Sequence, residues 1–375
     1  MAAKLKLFNL FIILLTFLSC ENYSEFSQSF ERRAQQIQAE HVPDLSLNVF
    51  STSLQRENNQ WILTGETTLE LAHDDIISLT DSLLGKDNYQ NEFILLPHLS
   101  LGDSIHAIVR VSVANLREEP RHSAQLIDQN IMGNTIRLLK NKGGWYLIQT
   151  EYGYVGWMRR ESFFRTNAAG IKKWQESDKV RVTELYPMIF SKPDEQSEPV
   201  ADVVLNALLL RQLKNGKWSR VRIPDGREGY IQSKYVSLYD ENKKSVENIR
   251  KGIIRTARSM MGIPYLWGGN SSKANDCSGF TQTVFKANGV ELLRDARQQA
   301  HEGKEITPDE NFSSLLPGDL LFFGHEDRIT HVGISIGGPQ FIHQGGMVRI
   351  NSLDPEADNY SSYRRKSLKI IKRVL

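Results

Sequence analysis

Asp276-Cys277-Ser278-Gly279-Phe280 decides how the rest of the chain is read. Phe280, Val284 and Ala287 recur behind it at helical steps, and Asn288-Gly289 ends the pattern. The segment therefore opens a helix with Cys277 at or just inside its N-terminus. Free N–H groups and the helix dipole favour a thiolate there, which would lower the thiol pKa from about 8.5. A free cysteine is equally at home as an inert core residue, and position alone leaves both roles open.

The C-terminal strands tip the balance. Leu320-Leu321-Phe322-Phe323 follows the turn Pro317-Gly318-Asp319. Thr330-His331-Val332-Gly333-Ile334-Ser335-Ile336 then runs through Gly337-Gly338-Pro339 into Gln340-Phe341-Ile342-His343. This is a hairpin with a glycine turn. The turn lies midway between His331 and His343, so the imidazoles are expected opposite or nearly opposite one another, where cross-strand Cβ atoms are about 5 Å apart. A thiol, a base and a group that orients the base are the parts of a nucleophilic hydrolase. Two His and one Cys could also bind a metal, but a fourth ligand at familiar spacing is missing. Upstream, Val246–Met261 reads as an amphipathic helix with Ile249, Ile253, Ala257 and Met260 on one face, closed by Gly262 and Pro264.

Residues 247–375 resemble the NlpC family of papain-like cysteine peptidases, which cut bacterial cell-wall peptides. The matching stretches are Pro264-Tyr265-Leu266-Trp267-Gly268-Gly269, Asp276-Cys277-Ser278-Gly279-Phe280, Leu316-Pro317-Gly318-Asp319-Leu320 and His331-Val332-Gly333-Ile334, in one order. The resemblance implies Cys277 as nucleophile, His331 as general base and His343 as the orienting residue. It implies Tyr265 as an oxyanion donor beside the Cys277 backbone N–H, a role a tyrosine hydroxyl can fill. Read without the resemblance, Tyr265 packs after a proline turn and Asp295 is a solvated acid between helices. With it, Asp295 in Arg294-Asp295-Ala296 pairs with the free α-amine of the substrate. Glu119 and Tyr154 are expected to close that amine pocket, and Trp267, Ser278 and Arg294 to line the same site.

Ahead of this region lies an internal repeat. Leu139-Lys140-Asn141-Lys142-Gly143-Gly144-Trp145 resembles Leu213-Lys214-Asn215-Gly216-Lys217-Trp218, and a glycine follows each tryptophan at the same distance (Trp145 to Gly156, Trp218 to Gly229). Each copy begins with an alternating strand, Val109-Arg110-Val111 or Val180-Arg181-Val182. Short alternating strands with Gly and Asn turns indicate small barrels. Gly144 to Trp157 resembles a bacterial SH3-like domain, and the second copy resembles it less closely. The barrels are expected at 101–168 and 175–240, followed by a polar linker at Glu241–Lys244.

Residues 21–100 read as a helical region. Phe26, Phe30, Ala34 and Ile37 form one stripe, and Leu69–Leu84 forms another that stops at Gly85. At the start, Lys4 and Lys6 precede the apolar run Leu7–Leu18, too short to span a bilayer core of about 30 Å but sufficient for an export signal. Phe17-Leu18-Ser19-Cys20 then resembles a bacterial lipoprotein signal, with residues 1–20 as the leader and Cys20 as the lipidated residue; an ordinary signal with an incidental cysteine is the alternative.

The 375 residues carry 46 basic and 44 acidic side chains, a net charge of +2, which gives no electrostatic case for a nucleic-acid partner. Two cysteines, Cys20 and Cys277, exclude a disulfide framework. A mean hydropathy of −0.39 argues against a polytopic membrane protein. The expected fold class is α+β: a papain-like peptidase domain preceded by two small SH3-like barrels and an N-terminal helical segment. The expected protein is an exported, lipid-anchored monomer, periplasmic, meeting the membrane only through its lipid. Two SH3-like domains before such a peptidase resemble the γ-D-glutamyl-L-diamino acid endopeptidases of murein recycling. That resemblance implies cofactor-free hydrolysis of the γ-D-glutamyl–diamino acid bond in murein peptides with a free N-terminal L-alanine. A murein amide hydrolase with another cut site, or a non-catalytic wall-binding lipoprotein, are the alternatives.

Overall fold

The structure, a computed structural model, describes residues 26–239 and 245–375. The expected leader with Cys20 and the expected linker Glu241–Lys244 lie outside the described residues. The chain divides into two compact units, one ending at Leu101 and the other running from Gly102 to Leu375.

In the first unit, the Phe30–Ala34–Ile37 stripe forms a helix, α1, over residues 26–41, with Phe30 and Ala34 buried. A hairpin follows, β1 (Phe50–Glu57) and β2 (Gln60–Thr67). It turns at Asn58 and Asn59, both at positive φ, a conformation asparagine tolerates better than most residues. Helix α2 (Glu70–Leu84) then crosses over to β3 (Tyr89–Leu95), which pairs in parallel with β2. The expectation of a helical region is therefore corrected in part, because a sheet accompanies the two helices. Both helices were legible as apolar stripes, but they cover a three-stranded mixed sheet whose strands are mostly polar and half-exposed.

The second unit begins with β4 (His106–Val109), β5 (Val113–Arg117), β6 (Leu126–Ile131), β7 (Thr135–Lys142), β8 (Trp145–Thr150), β9 (Val155–Arg159) and β10 (Phe163–Thr166). Helix α3 (Ala168–Glu176) leads to β11 (Lys179–Val182), β12 (Met188–Phe190), β13 (Pro199–Asp202), β14 (Leu208–Asn215), β15 (Trp218–Arg222), β16 (Glu228–Gln232) and β17 (Val236–Leu238). The strand orders are β6-β5-β9-β8-β7-β4-β10 and β13-β12-β16-β15-β14-β11-β17, the same order strand for strand. Each copy also has a short 3₁₀ turn before its last strand. The repeat seen in the sequence is thus a repeat of topology. The barrel expectation is corrected in one respect: both are seven-stranded antiparallel sheets whose ladders do not close.

The remainder is α4 (Val246–Ser259), α5 (Cys277–Lys286), α6 (Ala296–Gln299), β18 (Lys304–Glu305), β19 (Leu320–His325), β20 (Arg328–Gly337), β21 (Gln340–Gln344), β22 (Val348–Ser352), α7 (Ser362–Ser367) and β23 (Leu368–Arg373). The antiparallel sheet runs β18-β23-β19-β20-β21-β22. Phe280, Val284 and Phe285 of α5 meet Phe322, Val332, Ile334 and Ile342 of the sheet in one fully buried core. Removing a ring such as Phe280 from this core would cost about 3–5 kcal/mol. This packing fixes a cysteine-bearing helix start against the histidine-bearing strands.

Candidate active site

Asp276 caps α5, its Oδ1 accepting from Gly279 N–H at 2.8 Å, while Oδ2 accepts from Gly268 N–H at 3.0 Å. Cys277 is therefore the first residue of the helix, and it is buried. Its thiol is not held low as the helix start suggested. Burial first, and then the adjacent Asp276 carboxylate, push it up to about 11. A helix terminus contributes only about 0.3–1 kcal/mol, less than the desolvation of a buried thiolate.

The two histidines meet diagonally. Their hairpin pairs Gly333, not His331, with His343, and a bulge lies between Ser335 and Gly337. A Cβ on Gly333 would stand 3.0 Å from His343 Cβ, so the glycine leaves the imidazole room to lean across. His331 Nε2 lies 2.8 Å from His343 Nδ1, and His343 Nε2 lies 2.9 Å from Asn351 Oδ1. Asn351 Nδ2 donates to the Asn359 carbonyl at 2.8 Å, which fixes the amide's orientation. The tautomers follow in sequence. Asn351 Oδ1 can only accept, so His343 carries its proton on Nε2. His343 Nδ1 then accepts, so His331 carries its proton on Nε2. His331 Nδ1 is left with its lone pair, in the state a base requires. Burial, with the nearby Arg364 cation, holds His331 well below the ordinary imidazole range, and burial lowers His343 to about 4. The resting pair is thus a neutral thiol and a neutral imidazole.

A cleft opens over Cys277. Tyr265, Trp267, Ser278, Arg294, Asp295 and Tyr154 line it, together with Gln125 and Ile127 of the first SH3-like copy. Tyr265 and Trp267 are exposed there. Burial and the neighbouring thiol raise the Tyr265 hydroxyl, which stays protonated and able to donate. Asp295 caps α6, and burial raises its carboxyl. Tyr154 Oη donates to its Oδ1 at 3.3 Å, and Arg297 Nη2 donates to its Oδ2 at 3.2 Å.

Of the expected substrate contacts, Glu119 sits apart from the cleft, while Arg294 and Ser278 line it as expected but are also tied by internal bonds. Glu119 lies outside the cleft lining, on an exposed turn where both its oxygens accept from Arg121. Arg294 touches the cleft, but its guanidinium is spent internally: Nε donates to Asp128 Oδ1 at 2.5 Å, Nη2 to Asp276 Oδ2 at 2.6 Å and Nη1 to Ser278 Oγ at 3.0 Å. Against the cost of burial, the two carboxylates hold it charged. Ser278 is likewise occupied, donating to Asp276 Oδ1 at 3.2 Å. Arg294 thus clamps the first copy, through Asp128, to the cap of the cysteine helix. Gly268 belongs to the same junction. It sits at φ +72, and a Cβ there would strike the β6 backbone at Leu126 and Ile127.

Sequence reasoning missed Asn351 and Asp128. Among the described residues, no three His, Cys, Asp or Glu side chains converge as a metal site would need.

Comparison with known proteins agrees with this geometry. The NlpC/P60 family matches residues 262–366, and the bacterial SH3 domain matches residues 112–163, within the first copy. The chain is similar to the Dipeptidyl-peptidase 6 of Lysinibacillus sphaericus, 29% identical over 266 residues covering 68% of this chain and 94% of that one. It is similar to the Gamma-D-glutamyl-L-lysine dipeptidyl-peptidase of Bacillus cereus, 27% identical over 230 residues covering 58% of this chain and 67% of that one. Among solved structures, an NlpC/P60 family protein from Bacillus cereus ATCC 10987 shares the fold, with a TM-score of 0.62 and 23% identity over 72% of this chain and 99% of that one.

Proposed function

The chain belongs to the NlpC/P60 family, as a cysteine peptidase, and from that premise we propose that it hydrolyses the γ-D-glutamyl–diamino acid bond of murein peptides that begin with a free L-alanine. The relay His331–His343–Asn351, on strands packed against the helix that carries the thiol, and a cleft over that thiol walled by the first SH3-like copy together carry this reading. The Bacillus cereus relative, named for a γ-D-glutamyl-L-lysine substrate, supports the choice of bond.

In this mechanism the Cys277 thiol passes its proton to His331 Nδ1, and the thiolate sulfur attacks the γ-carbonyl carbon. The Cys277 backbone N–H and the Tyr265 hydroxyl stabilise the oxyanion. As the C–N bond breaks, imidazolium His331 returns the proton to the leaving amine, and a thioester remains on Cys277. Water, deprotonated by the same imidazole, releases the acid and restores the thiol. His343 and Asn351 keep the His331 lone pair on Nδ1 throughout. Asp295 receives the ammonium of the terminal alanine with the Tyr154 hydroxyl beside it, which requires Arg297 to turn out to solvent. Leader cleavage and lipidation at Cys20, with a periplasmic, monomeric, lipid-anchored protein acting in murein recycling, belong to the same proposal and rest on the Leu7–Cys20 pattern. Metabolic labelling with a fatty acid should mark the intact chain and not a Cys20→Ser form.

Mass spectrometry of products from L-Ala-γ-D-Glu-L-Lys and its diaminopimelate counterpart tests the bond assignment. The expected products are L-Ala-γ-D-Glu and the free diamino acid, with Cys277→Ala slower by about a thousandfold or more. Any other fragment pair contradicts it.

A further inference from the structure

Two arginines flank the histidine relay, and neither has a role in the mechanism above. Arg349 on β22 is the cross-strand partner of His343, and its guanidinium lies over Gly345, where a Cβ would come 3.1 Å from its Nε. Arg364 on α7 stacks over the ring of Phe323 at 5.4 Å and over its neighbour Tyr363 at 5.3 Å. The Phe323 ring is itself 5.8 Å from the His331 imidazole. Both cations act on His331 and His343, and each acts on the other. Among the described residues neither guanidinium meets a carboxylate or donates a hydrogen bond. Arg364 is nevertheless half-buried, and burial lowers its pKa. A half-buried arginine such as Arg364 is ordinarily paired, since the planar guanidinium is built to hold a carboxylate or phosphate with two hydrogen bonds, and exposed Arg349 is free to share that anion. The two cations stand on either side of the same relay, one across from His343 and one over the ring beside His331, and an anion held there relieves their repulsion.

Chemistry says which anion. His331 must reach the nitrogen of the leaving residue, and the α-carboxyl carbon of that residue is two bonds from the same nitrogen. Whatever stands beside His331 on the leaving side therefore faces that carboxyl group. Neither arginine lines the cleft that holds Asp295 and Tyr154, where the other end of the peptide lies. We propose that Arg349 and Arg364 form an anion subsite for the free α-carboxylate of the leaving residue. The enzyme then reads both ends of its substrate: an ammonium at the first residue and a carboxylate at the residue released. Peptides that continue beyond the leaving residue present a neutral amide to the arginines and are poorer substrates.

The proposal rests on the bond assignment made above, and the experiment separates the two. L-Ala-γ-D-Glu-L-Lys is compared with its C-terminal carboxamide by kcat/KM, in the wild type and in Arg349→Gln, Arg364→Gln and the double variant. Circular dichroism melts confirm that each variant is folded. The wild type is expected to prefer the free acid by about tenfold or more, chiefly through KM, as suits a charge-assisted contact. The double variant is expected to bring the ratio close to one, and Arg349→Gln, an exposed position, to lower it severalfold on its own. A wild-type ratio near one, or a ratio that survives the double substitution while both rates fall together, overturns the subsite. Equal cutting of acid and amide leaves the bond assignment standing and removes the subsite. Calorimetric binding of both peptides to Cys277→Ala covers the remaining case. Tighter binding of the acid without turnover by the wild type keeps the subsite and removes the bond assignment, and no difference in binding removes both.

Discussion

The two SH3-like copies share one strand order and do different work. The turn before β9 and the turn before β16 are closed by the same hydrogen bonds, Thr150 N–H to Tyr154 O and Ile223 N–H to Arg227 O, each 2.9 Å. In the first copy that position is Tyr154, whose hydroxyl reaches Asp295 in the cleft. In the second it is Arg227, which binds Asp225 within its own turn and the Val200 carbonyl at the surface. The first copy sends a buried carboxylate, Asp128, to Arg294 and so to the cap of the cysteine helix. The second meets the far end of that helix through side-chain donors to backbone carbonyls, Asn206 Nδ2 to Thr283 O and Arg181 Nη1 to Lys286 O, both 2.9 Å, with no carboxylate–guanidinium pair at that end among the described residues. Topology alone therefore says nothing about role. One copy completes the site; the other braces the helix that carries it.

The comparison breaks most visibly at Asp128. Asp128→Ala leaves the buried guanidinium of Arg294 with Asp276 as its one carboxylate and its Nε without an acceptor, and is expected to destabilise the second unit by about 2–3 kcal/mol, with kcat/KM falling as the clamp on the cysteine-helix cap loosens. Asn206→Ala, the matching cut in the second copy, should cost about 1 kcal/mol and leave kcat/KM near wild type. Thermal melts and initial rates on both variants check this, and Asp128→Asn, which keeps the acceptor oxygen, should fall between them. Equal losses in the two copies would dissolve the distinction.

The thiol tests the burial of the site. Cys277 titrates near 11 and His331 is depressed, so free enzyme near neutrality holds a thiol rather than an ion pair. Well below its pKa the thiolate fraction rises tenfold per pH unit. Alkylation of free enzyme by iodoacetamide should therefore climb about tenfold per unit from pH 7 to pH 10. A plateau that begins below pH 7 would mean a preformed thiolate–imidazolium pair. The smallest effect is the sharpest contrast: Tyr154→Phe should raise KM about fivefold for a free-amine peptide, and Arg227→Ala at the equivalent turn should not change it.

Much of the site was legible because chemistry and local pattern coincide. Cys277 could be placed at a helix start from Phe280, Val284 and Ala287, and the histidines could be paired from the glycine turn between them. The diagonal meeting could not, because it depends on the bulge near Gly337. Asn351 gave no signal, since a lone asparagine in a strand acquires a role only when the β21–β22 register brings it to His343. Asp128 and Arg294 are 166 residues apart, and no local pattern reports a buried pair of that kind. Glu119 belongs to the amine pocket only on the family resemblance, and Arg121, two residues on, takes its carboxylate, a local pairing that the resemblance does not report. The first sheet went unread because the strong stripes of α1 and α2 outweighed the polar strands between them.

The central claim is that the first copy and Asp295 together admit only a free amine. It is tested most directly by kcat/KM for L-Ala-γ-D-Glu-L-Lys against the same peptide acetylated at the alanine nitrogen. On the proposed reading, acetylation removes the charge assigned to Asp295 and adds bulk against Tyr154 and Ile127, which line the same cleft. The account predicts efficient cleavage of the free peptide and no measurable cleavage of the acetylated one. Equal cleavage of both would contradict it.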